Sequence, residues 1–376
     1  MIGALLGLIA MVAAVNMFVN PYGAWRLGSF DPIYRRITLE RLAIPYLLRV
    51  ARPHTILIGS SRVILGMRIE QGERDGVLNA ALSGAKLEEI ARIVELACSN
   101  RELRRVIWGV EFFAFNGSDD SRPDPNTMER METPWKTIVG DTLVNSDALD
   151  RSRDLYRRYR LGLSRLPAES TEPVPWTDGF IGMKIRVLEH QARPLDEAVD
   201  LRGARQFQAW YGGYRLSQAE IVRFREIVER IRSANLELLL FVPPSSEYEL
   251  EIIRQSGLWQ QFQAWKAAIA EINPFWDFGG FNTLARTNRL FIDVMHFRPE
   301  LGFSIMRKLE GRDCDRCGAL AEEAVAQALY FDRSSAARNL AEQDLRMAVS
   351  ERTDTIYARV AREVIAEQRG PRRIAD

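Results

Sequence analysis

The feature that most constrains the fold is a series of short apolar runs separated by amphipathic stretches. The runs lack polar alternation, and the stretches between them, such as 86–103 and 217–235, carry apolar residues at intervals of three and four. Strands without alternation are buried on both faces, which requires a parallel sheet covered by helices on each side. We therefore predict an α/β fold, a three-layer α/β/α domain. The predicted strands are 54–59, 76–82, 105–113 and 236–243, with 274–280 as a weaker fifth.

The charge balance argues against a nucleic-acid partner. Lysine and arginine total 51, aspartate and glutamate total 50, and the net charge is +1. Proteins that bind a phosphate backbone present an excess of basic side chains. The partner class therefore has to be inferred from individual sites.

The three cysteines are too few for a disulfide-stapled scaffold. Cys98 lies in an amphipathic stretch, where a buried thiol is ordinary. Cys314 and Cys317 form a single CxxC, and the three histidines of the chain give no evident set of four zinc ligands. We interpret the CxxC as two free thiols or a local disulfide, and expect neither a metal nor a cofactor.

The N-terminal segment, residues 2–19, is uncharged and apolar. At about 1.5 Å per residue a helix of this length is roughly 27 Å long, close to the thickness of a bilayer core. A cleaved signal peptide has a basic start and a shorter apolar stretch, so we predict an uncleaved, single-pass anchor at 1–22 in the cytoplasmic (inner) membrane and a stem at 23–52. The positive-inside rule favours a cytoplasmic body, because the nearest arginines follow the segment. They are Arg26, Arg35, Arg36 and Arg41.

Two further regions lack the regular alternation of predicted strands and helices. Residues 117–205 are polar and proline-broken, which indicates an insertion after the third strand, near the ligand-binding edge of the sheet. Residues 313–376 are predicted to form a helical tail, leaving 53–312 as the α/β domain. The tail carries an apolar stripe that we expect to dock on the body, on a second copy or on a partner helix. The stripe comprises Leu345, Val349, Ile356, Val360 and Val364.

The first predicted strand ends at Gly59-Ser60-Ser61, a glycine followed by two hydroxyls. A serine becomes a nucleophile only with a base within hydrogen-bond reach and a third group that holds the base. A strand-to-loop turn exposes a serine in this way, but serines that cap a helix give the same pattern. This segment alone leaves both interpretations open.

The second relevant motif is a DxxH near residue 295. His296 follows Asp293 by three residues, after the last strand-like run of the α/β domain. This spacing lets the two side chains point the same way, with the carboxylate orienting the imidazole. Together with a serine-bearing turn at the start of the domain, the motif predicts a catalytic constellation in the chain order serine, aspartate, histidine.

These motifs resemble those of the SGNH (GDSL-like) hydrolase superfamily, and more narrowly its membrane-anchored bacterial branch of envelope polysaccharide O-acetyltransferases and esterases. The first family block reads GDS with the serine as nucleophile, and Gly59-Ser60-Ser61 matches it with Ser60 in the aspartate position. The resemblance implies a flavodoxin-like SGNH fold. It also implies Ser61 as nucleophile, His296 as base and Asp293 as the carboxylate that holds the base.

The resemblance further implies an oxyanion hole made by the backbone N–H groups of Ser61 and Gly84. The stretch LNAALSGAK fits the second block, with Asn79 at the strand end and Gly84 as its glycine, although a simple turn glycine fits equally. The third block does not match the family pattern. The family carries GxND, whereas this chain reads GVEF, with Glu111 in the asparagine position. An ionised Glu111 repels an oxyanion, so we expect it to be turned away or neutral, or Asn116 to donate instead.

Two more polar residues precede the DxxH in WDFGGFN. Asp277 is interpreted as a substrate contact or as the cap of a turn, and Asn282 as a second candidate contact. The complete set of candidate pocket residues is Ser60, Arg62, Asn79, Glu111, Asn116, Asp277 and Asn282.

The resemblance implies an esterase or O-acyltransferase that acts on acyl esters, foremost acetyl esters, of an envelope or exported polysaccharide through an acyl-serine. Its partners are then the polysaccharide or acylated sugar, the membrane and a membrane-bound acyl donor protein, with the globular domain outside the cytoplasmic membrane. The alternative, suggested by Glu111, is a non-catalytic glycan-binding or assembly protein in a polysaccharide export or modification complex.

Overall fold

The computed structural model describes residues 2–21, 40–67, 76–119, 123, 125–132, 139–160, 201–312, 319–352 and 354–369. Six strands form one sheet in the order β2-β1-β3-β4-β5-β6. The first five run parallel, and β6 pairs antiparallel with β5. The predicted mixed α/β fold with a largely parallel sheet is confirmed. The strands are β1 (Thr55–Ile58), β2 (Val77–Asn79), β3 (Arg105–Gly109), β4 (Glu237–Val242), β5 (Phe275–Asp277) and β6 (Leu329–Phe331).

Helices lie on both faces of the sheet. Successive residues of a strand point to opposite faces, so Ile56 and Ile58 of β1 join one apolar cluster and Leu57 joins the other. The named helices are α1 (Ile2–Val19), α2 (Glu40–Val50), α3 (Ser61–Gly66), α4 (Leu87–Cys98), α5 (Pro125–Glu132), α6 (Ser146–Arg160), α7 (Leu201–Tyr211), α8 (Gln218–Ser233), α9 (Glu247–Gln255), α10 (Trp259–Ile272), α11 (Thr283–Arg286), α12 (Pro299–Leu309), α13 (Ala319–Ala326), α14 (Ala336–Glu351) and α15 (Ile356–Arg369).

Two glycines allow the close approaches on which the site depends. Gly59 has a φ of +145°, and a Cβ there would lie 2.6 Å from Val63 and 2.8 Å from the carbonyl oxygen of Gly109. Gly302 of α12 packs so tightly on α3 that a Cβ would overlap the carbonyl oxygen of Gly66 at 1.6 Å. Because only glycine fits at both places, α3 turns sharply out of β1 and lies directly against α12.

The predicted insertion, 117–205, contains α5, α6 and the first turn of α7, and α7 continues past residue 205 to Tyr211. Residues 120–122, 124, 133–138 and 161–200 of this region lie outside the described residues. Helix α7 packs against α9 and α15, which fixes its end beside the carboxyl edge of the sheet.

The tail differs from the prediction in two ways. It contains the edge strand β6 in addition to helices, and the proposed apolar stripe is not one surface, because α14 ends at Glu351 before α15 begins at Ile356. Val360 and Val364 of α15 are buried against the body, whereas Leu345 and Val349 of α14 and Ile356 are exposed. Cys314 and Cys317 lie outside the described residues.

Helix α1 is long and apolar enough to cross a membrane. Most of its surface is exposed, including Ile2 at 77% and Leu5 at 59%. Hydrogen bonds join its C-terminal end to other described residues: the Asn16 amide donates to the carbonyl of Leu143 at 2.8 Å and accepts from the Ser152 hydroxyl of α6 at 2.8 Å. Such a continuous exposed apolar surface is rare on soluble monomers.

Candidate active site

The two serines after β1 have different environments. Ser60 is the N-cap of α3, and its hydroxyl accepts a hydrogen bond from the backbone N–H of Arg62 at 3.1 Å. Ser61 is the first residue of α3, and its Oγ lies 2.9 Å from Nε2 of His296. The capping interpretation therefore holds for Ser60, whereas the hydroxyl of Ser61 is paired with an imidazole.

The loop that carries His296 is held in place by its own polar groups. Oδ1 of Asp293 accepts the backbone N–H groups of Met295 and His296, each at 2.8 Å. The hydroxyl of Ser246, at the start of α9, donates to the carbonyl of Val294 at 2.5 Å. These bonds fix the turn and direct both the carboxylate and the imidazole toward α3.

Ser61, His296 and Asp293 form one hydrogen-bonded row. Nδ1 of His296 lies 2.9 Å from each carboxylate oxygen of Asp293. An ionised carboxylate only accepts hydrogen bonds, so Nδ1 carries the proton and Nε2 is left as an acceptor for the hydroxyl of Ser61. This is the arrangement that activates a serine nucleophile.

Burial alone would raise the pKa of Asp293. The hydrogen bond and charge of His296 and the N–H groups of Met295 and His296 outweigh that effect, so the pKa lies below its ordinary value. A depressed carboxyl pKa stabilises the folded state above the unfolded pKa, and this stability is lost as pH falls through the folded pKa.

We expect an Asp293→Asn variant to lose less of its unfolding free energy than the wild type between about pH 5 and pH 3. Asparagine keeps an oxygen that accepts the same backbone N–H groups but carries no charge to protonate. Urea unfolding of both chains across this range measures the difference. Equal pH slopes in the two chains would contradict the assigned charge on Asp293.

The row opens into a cavity of about 450 Å³. The backbone N–H of Ser61 has no intrahelical acceptor, because Ser61 begins a helix. Gly84, in a turn with φ +59°, lies on the same wall. Ser61 and Gly84 thus both border this cavity. The predicted site residues that line this cavity are Ser60, Ser61, Arg62, Asn79, Gly84, Glu111 and His296.

A buried polar cluster lies beneath the serine pair. Oε1 of Glu111 is hydrogen-bonded to Oγ of Ser60, and Arg62 ion-pairs with Oε2 of Glu111 at 3.3 Å. Arg62 also donates from Nη2 to Glu249 at 2.6 Å, and the other oxygen of Glu249 accepts the hydroxyl of Tyr211 at 2.6 Å. The side chains of Arg62, Glu111 and Glu249 are each at most 5% exposed.

Burial raises the pKa of the carboxyl of Glu111 and of the phenol of Tyr211 in this cluster. At Glu111 the charge of Arg62, the hydrogen bond of Ser60 and the charge of His296 do not fully reverse the shift. At Tyr211 the nearby Glu249 raises the pKa further. For Arg62 burial works in the opposite sense, but Glu249 and Glu111 outweigh it and raise the pKa above its ordinary value.

Three predicted pocket residues do not line this cavity, although Asn116 lines an adjoining one. Asn116 was the candidate replacement for the missing oxyanion donor, but its amide donates to the carbonyl of Trp210 and accepts the N–H groups of Ser118 and Arg215. Asn282 caps α11 by accepting the N–H of Ala285 at 2.9 Å. Both amides are therefore occupied by backbone groups.

Asp277 is an interior residue and not a substrate contact, and its bond to the N–H of Gly279, two residues on, confirms the alternative interpretation as the cap of a turn. Its Oδ2 pairs with Nζ of Lys266 at 2.7 Å, with both side chains 0% exposed, and its Oδ1 accepts the N–H of Gly279 at 2.9 Å. Gln343 of α14 is hydrogen-bonded to both partners. Asp277 thus joins β5, α10 and α14 instead of facing a ligand.

Sequence reasoning missed Glu249 and Tyr211 of the buried cluster and the aromatic wall of the cavity. Glu249 and Tyr211 lie on α9 and α7 with no motif around them. Phe113 and Trp210 form the wall as stacked rings with centroids 5.1 Å apart. The only available signal was the expectation that the insertion lies near the ligand-binding edge, since Trp210 and Tyr211 follow directly from its end.

A second cavity of about 520 Å³ adjoins the first. Gly84, Phe113 and Trp210 line both cavities. The remaining wall of the second cavity is rich in polar groups, including the ion pair between Lys86 and Asp119. A ligand in the second cavity would therefore share a wall with the cavity that contains the hydroxyl of Ser61.

Among the described residues, no group of three or more His, Cys, Asp and Glu side chains is placed to hold a metal ion. Comparisons of the chain with protein-family models, with curated proteins and with solved structures find no match. Function therefore has to be inferred from the geometry of the site itself.

Proposed function

We propose that this protein is a membrane-anchored serine esterase or O-acyltransferase of the SGNH type, acting on acyl esters of an envelope or exported polysaccharide. The observation that carries the proposal is the row of Oγ of Ser61, the imidazole of His296 and the carboxylate of Asp293, each joined to the next at 2.9 Å. The row opens into a cavity wide enough for an ester.

The first half of the reaction forms an acyl-serine. Oγ of Ser61 attacks the ester carbonyl while Nε2 of His296 accepts its proton, and Asp293 stabilises the resulting imidazolium. The N–H groups of Ser61 and Gly84 donate to the oxyanion. Collapse of the tetrahedral intermediate breaks the ester C–O bond, and the departing alkoxide takes the proton from His296.

The second half transfers the acyl group. His296 deprotonates water or a sugar hydroxyl, which attacks the acyl-serine and releases Ser61. The adjoining cavity supports a sugar acceptor, because sugars offer apolar C–H faces for stacking on Trp210 and Phe113 and hydroxyl rims for polar groups such as the Lys86–Asp119 pair. Acetyl is the acyl group that we favour, and a membrane-bound protein is the donor that we favour.

The fold and the anchor also support the proposal. The parallel strands run in the order 2-1-3-4-5, which is the flavodoxin-like order. Ser61, Glu111 and the loop with His296 all follow the carboxyl ends of strands, where such domains bind ligands. We place the globular part on the extracytoplasmic side of the cytoplasmic membrane, where envelope polysaccharides occur, with α1 as its single span.

The test is acetyl-ester turnover by the full chain in detergent micelles, with and without oligosaccharide acceptors. We expect release of the chromophore from a chromogenic acetyl ester, and faster release with formation of O-acetylated sugar when an acceptor is added. Faster release follows because an added nucleophile shortens the lifetime of the acyl-serine. Absence of ester cleavage with a range of acyl groups would contradict the proposal.

A second candidate function, a non-catalytic glycan-binding or assembly protein, is favoured by one observation. Glu111 stands where the SGNH family carries an asparagine that donates to the oxyanion, and an ionised carboxylate there opposes catalysis. Oligosaccharide binding without ester turnover would support this alternative.

A further inference from the structure

The hydroxyl of Ser60 has room for one more hydrogen bond. A serine hydroxyl accepts two hydrogen bonds and donates one. Its oxygen already accepts the N–H of Arg62 and is bonded to Oε1 of Glu111. If Glu111 is ionised, Ser60 must donate to it. If Glu111 is neutral and donates, the hydroxyl of Ser60 keeps its proton and can donate a hydrogen bond into the cavity that both serines line.

The buried cluster is short of one positive charge. Glu111 and Glu249 share the single guanidinium of Arg62, and all three side chains are at most 5% exposed. Glu249 accepts two hydrogen bonds, from Arg62 and Tyr211, whereas Oε2 of Glu111 is buried without a hydrogen bond. Burial favours the neutral form of a carboxyl, and the one with fewer donors takes the proton. Glu111 is that carboxyl, in keeping with its raised pKa.

We propose that Ser60 is a catalytic residue whose hydroxyl donates to the oxyanion, and that a neutral Glu111 frees this hydroxyl by donating to its oxygen. The inference rests on the proposed function, since it concerns an oxyanion formed on Ser61. Glu111 is then a positioning residue. Ser60 supplies the side-chain donor that is lost where Glu111 replaces the asparagine of GxND.

The first test compares kcat for an acetyl ester in three variants. Ser60→Ala is expected to lower kcat by about 10²- to 10³-fold with little change in KM, the usual effect of removing one oxyanion donor. Glu111→Gln is expected to lower kcat by about tenfold at most, because its amide N–H also donates to Ser60. Ser99→Ala, at the exposed end of α4, is the matched control with unchanged kcat.

The second test is the dependence of kcat on pH. If Glu111 had a purely structural role, the wild type and Glu111→Gln would have pH profiles of the same shape. As pH rises through the pKa of Glu111, its carboxylate recaptures the Ser60 hydroxyl and kcat falls. This fall of kcat with rising pH is expected in the wild type and absent in Glu111→Gln. The charged and titratable groups that face Glu111 are Arg62 of α3, Glu249 of α9, Tyr211 of α7 and His296 of the loop before α12.

The third test does not depend on activity. A difference infrared spectrum of wild type against Glu111→Gln near neutral pH is expected to contain the C=O stretch of one protonated carboxyl. Absence of that band overturns the inference even if the chain is an active esterase. So does a Ser60→Ala variant that is folded and keeps the wild-type kcat. A wild-type chain that shows the band but cleaves no ester contradicts the proposed function and the role of Ser60. That result would support only the protonation of Glu111.

Discussion

Replacing Ser61 by alanine is expected to lower kcat for acetyl esters by at least about 10³-fold, because no acyl-enzyme can form without Oγ. His296 and the two backbone donors remain in place, so a small residual rate persists. KM should change little, since the methyl group leaves the cavity wall intact. Steady-state hydrolysis of a chromogenic acetyl ester measures the effect.

Ser99→Ala serves as the control for this prediction as well. It replaces a serine of the same chain whose exposed hydroxyl donates to the carbonyl of Leu96 at the end of α4. A Ser61→Ala variant that is folded and as active as this control would remove Ser61 from the mechanism.

The second large effect concerns stability. Asp277→Ala is expected to lower the free energy of unfolding by about 3–5 kcal/mol, because it leaves a buried ammonium without its counter-charge. Nζ of Lys266 would keep the carbonyl of Gly279 and the amide of Gln343 as partners, but no carboxylate. Burial already lowers the pKa of Lys266, and the charge and hydrogen bond of Asp277 oppose that shift ahead of the charge of Glu249.

The double variant Lys266→Met with Asp277→Ala separates the charge from the packing. It removes both charges, so it should lose less stability than Asp277→Ala alone. Urea unfolding followed by tryptophan fluorescence provides the comparison. A loss below about 1 kcal/mol in the single variant would mean that the pair is not sealed from water.

The sheet could be predicted because its strands are buried on both faces and therefore form unbroken apolar runs. Each predicted run contains an observed strand, but the strands are shorter. The run at 105–113, for example, ends at Gly109 because Phe112–Phe115 form a 3₁₀ turn. Strand β6 was missed because its three residues, Leu329–Phe331, follow directly on a helical pattern and are too few to show a period of two.

The tail shows why helical spacing did not identify the buried face. Leu345 and Val349 are exposed on α14, whereas Gln343 of the same helix is buried against the Lys266–Asp277 pair. The inward face of α14 is therefore set by a buried ion pair that needs a polar partner. Hydropathy gives no indication of such a pair, because its members lie on different elements.

The convergence of Ser61 with the Asp293–His296 loop could be predicted because parallel strands bring their carboxyl ends to one edge. The cluster beneath them could not. Arg62 and Glu249 are 187 positions apart, and no sequence motif around either residue indicates that they are paired. The same holds for the proposed oxyanion donors. Gly84 belongs to a recognisable sequence block, whereas the contact between Ser60 and Glu111 is seen only in the folded chain.

The most direct measurement is to label the full chain in detergent with a fluorophosphonate probe and to map the modified residue by mass spectrometry of the digested protein. An activated serine is predicted to react, so the label should lie on Ser61 and should be lost when His296 is replaced by alanine. Labelling of another residue, no labelling, or equal labelling without His296 would contradict the claim that the imidazole activates this hydroxyl.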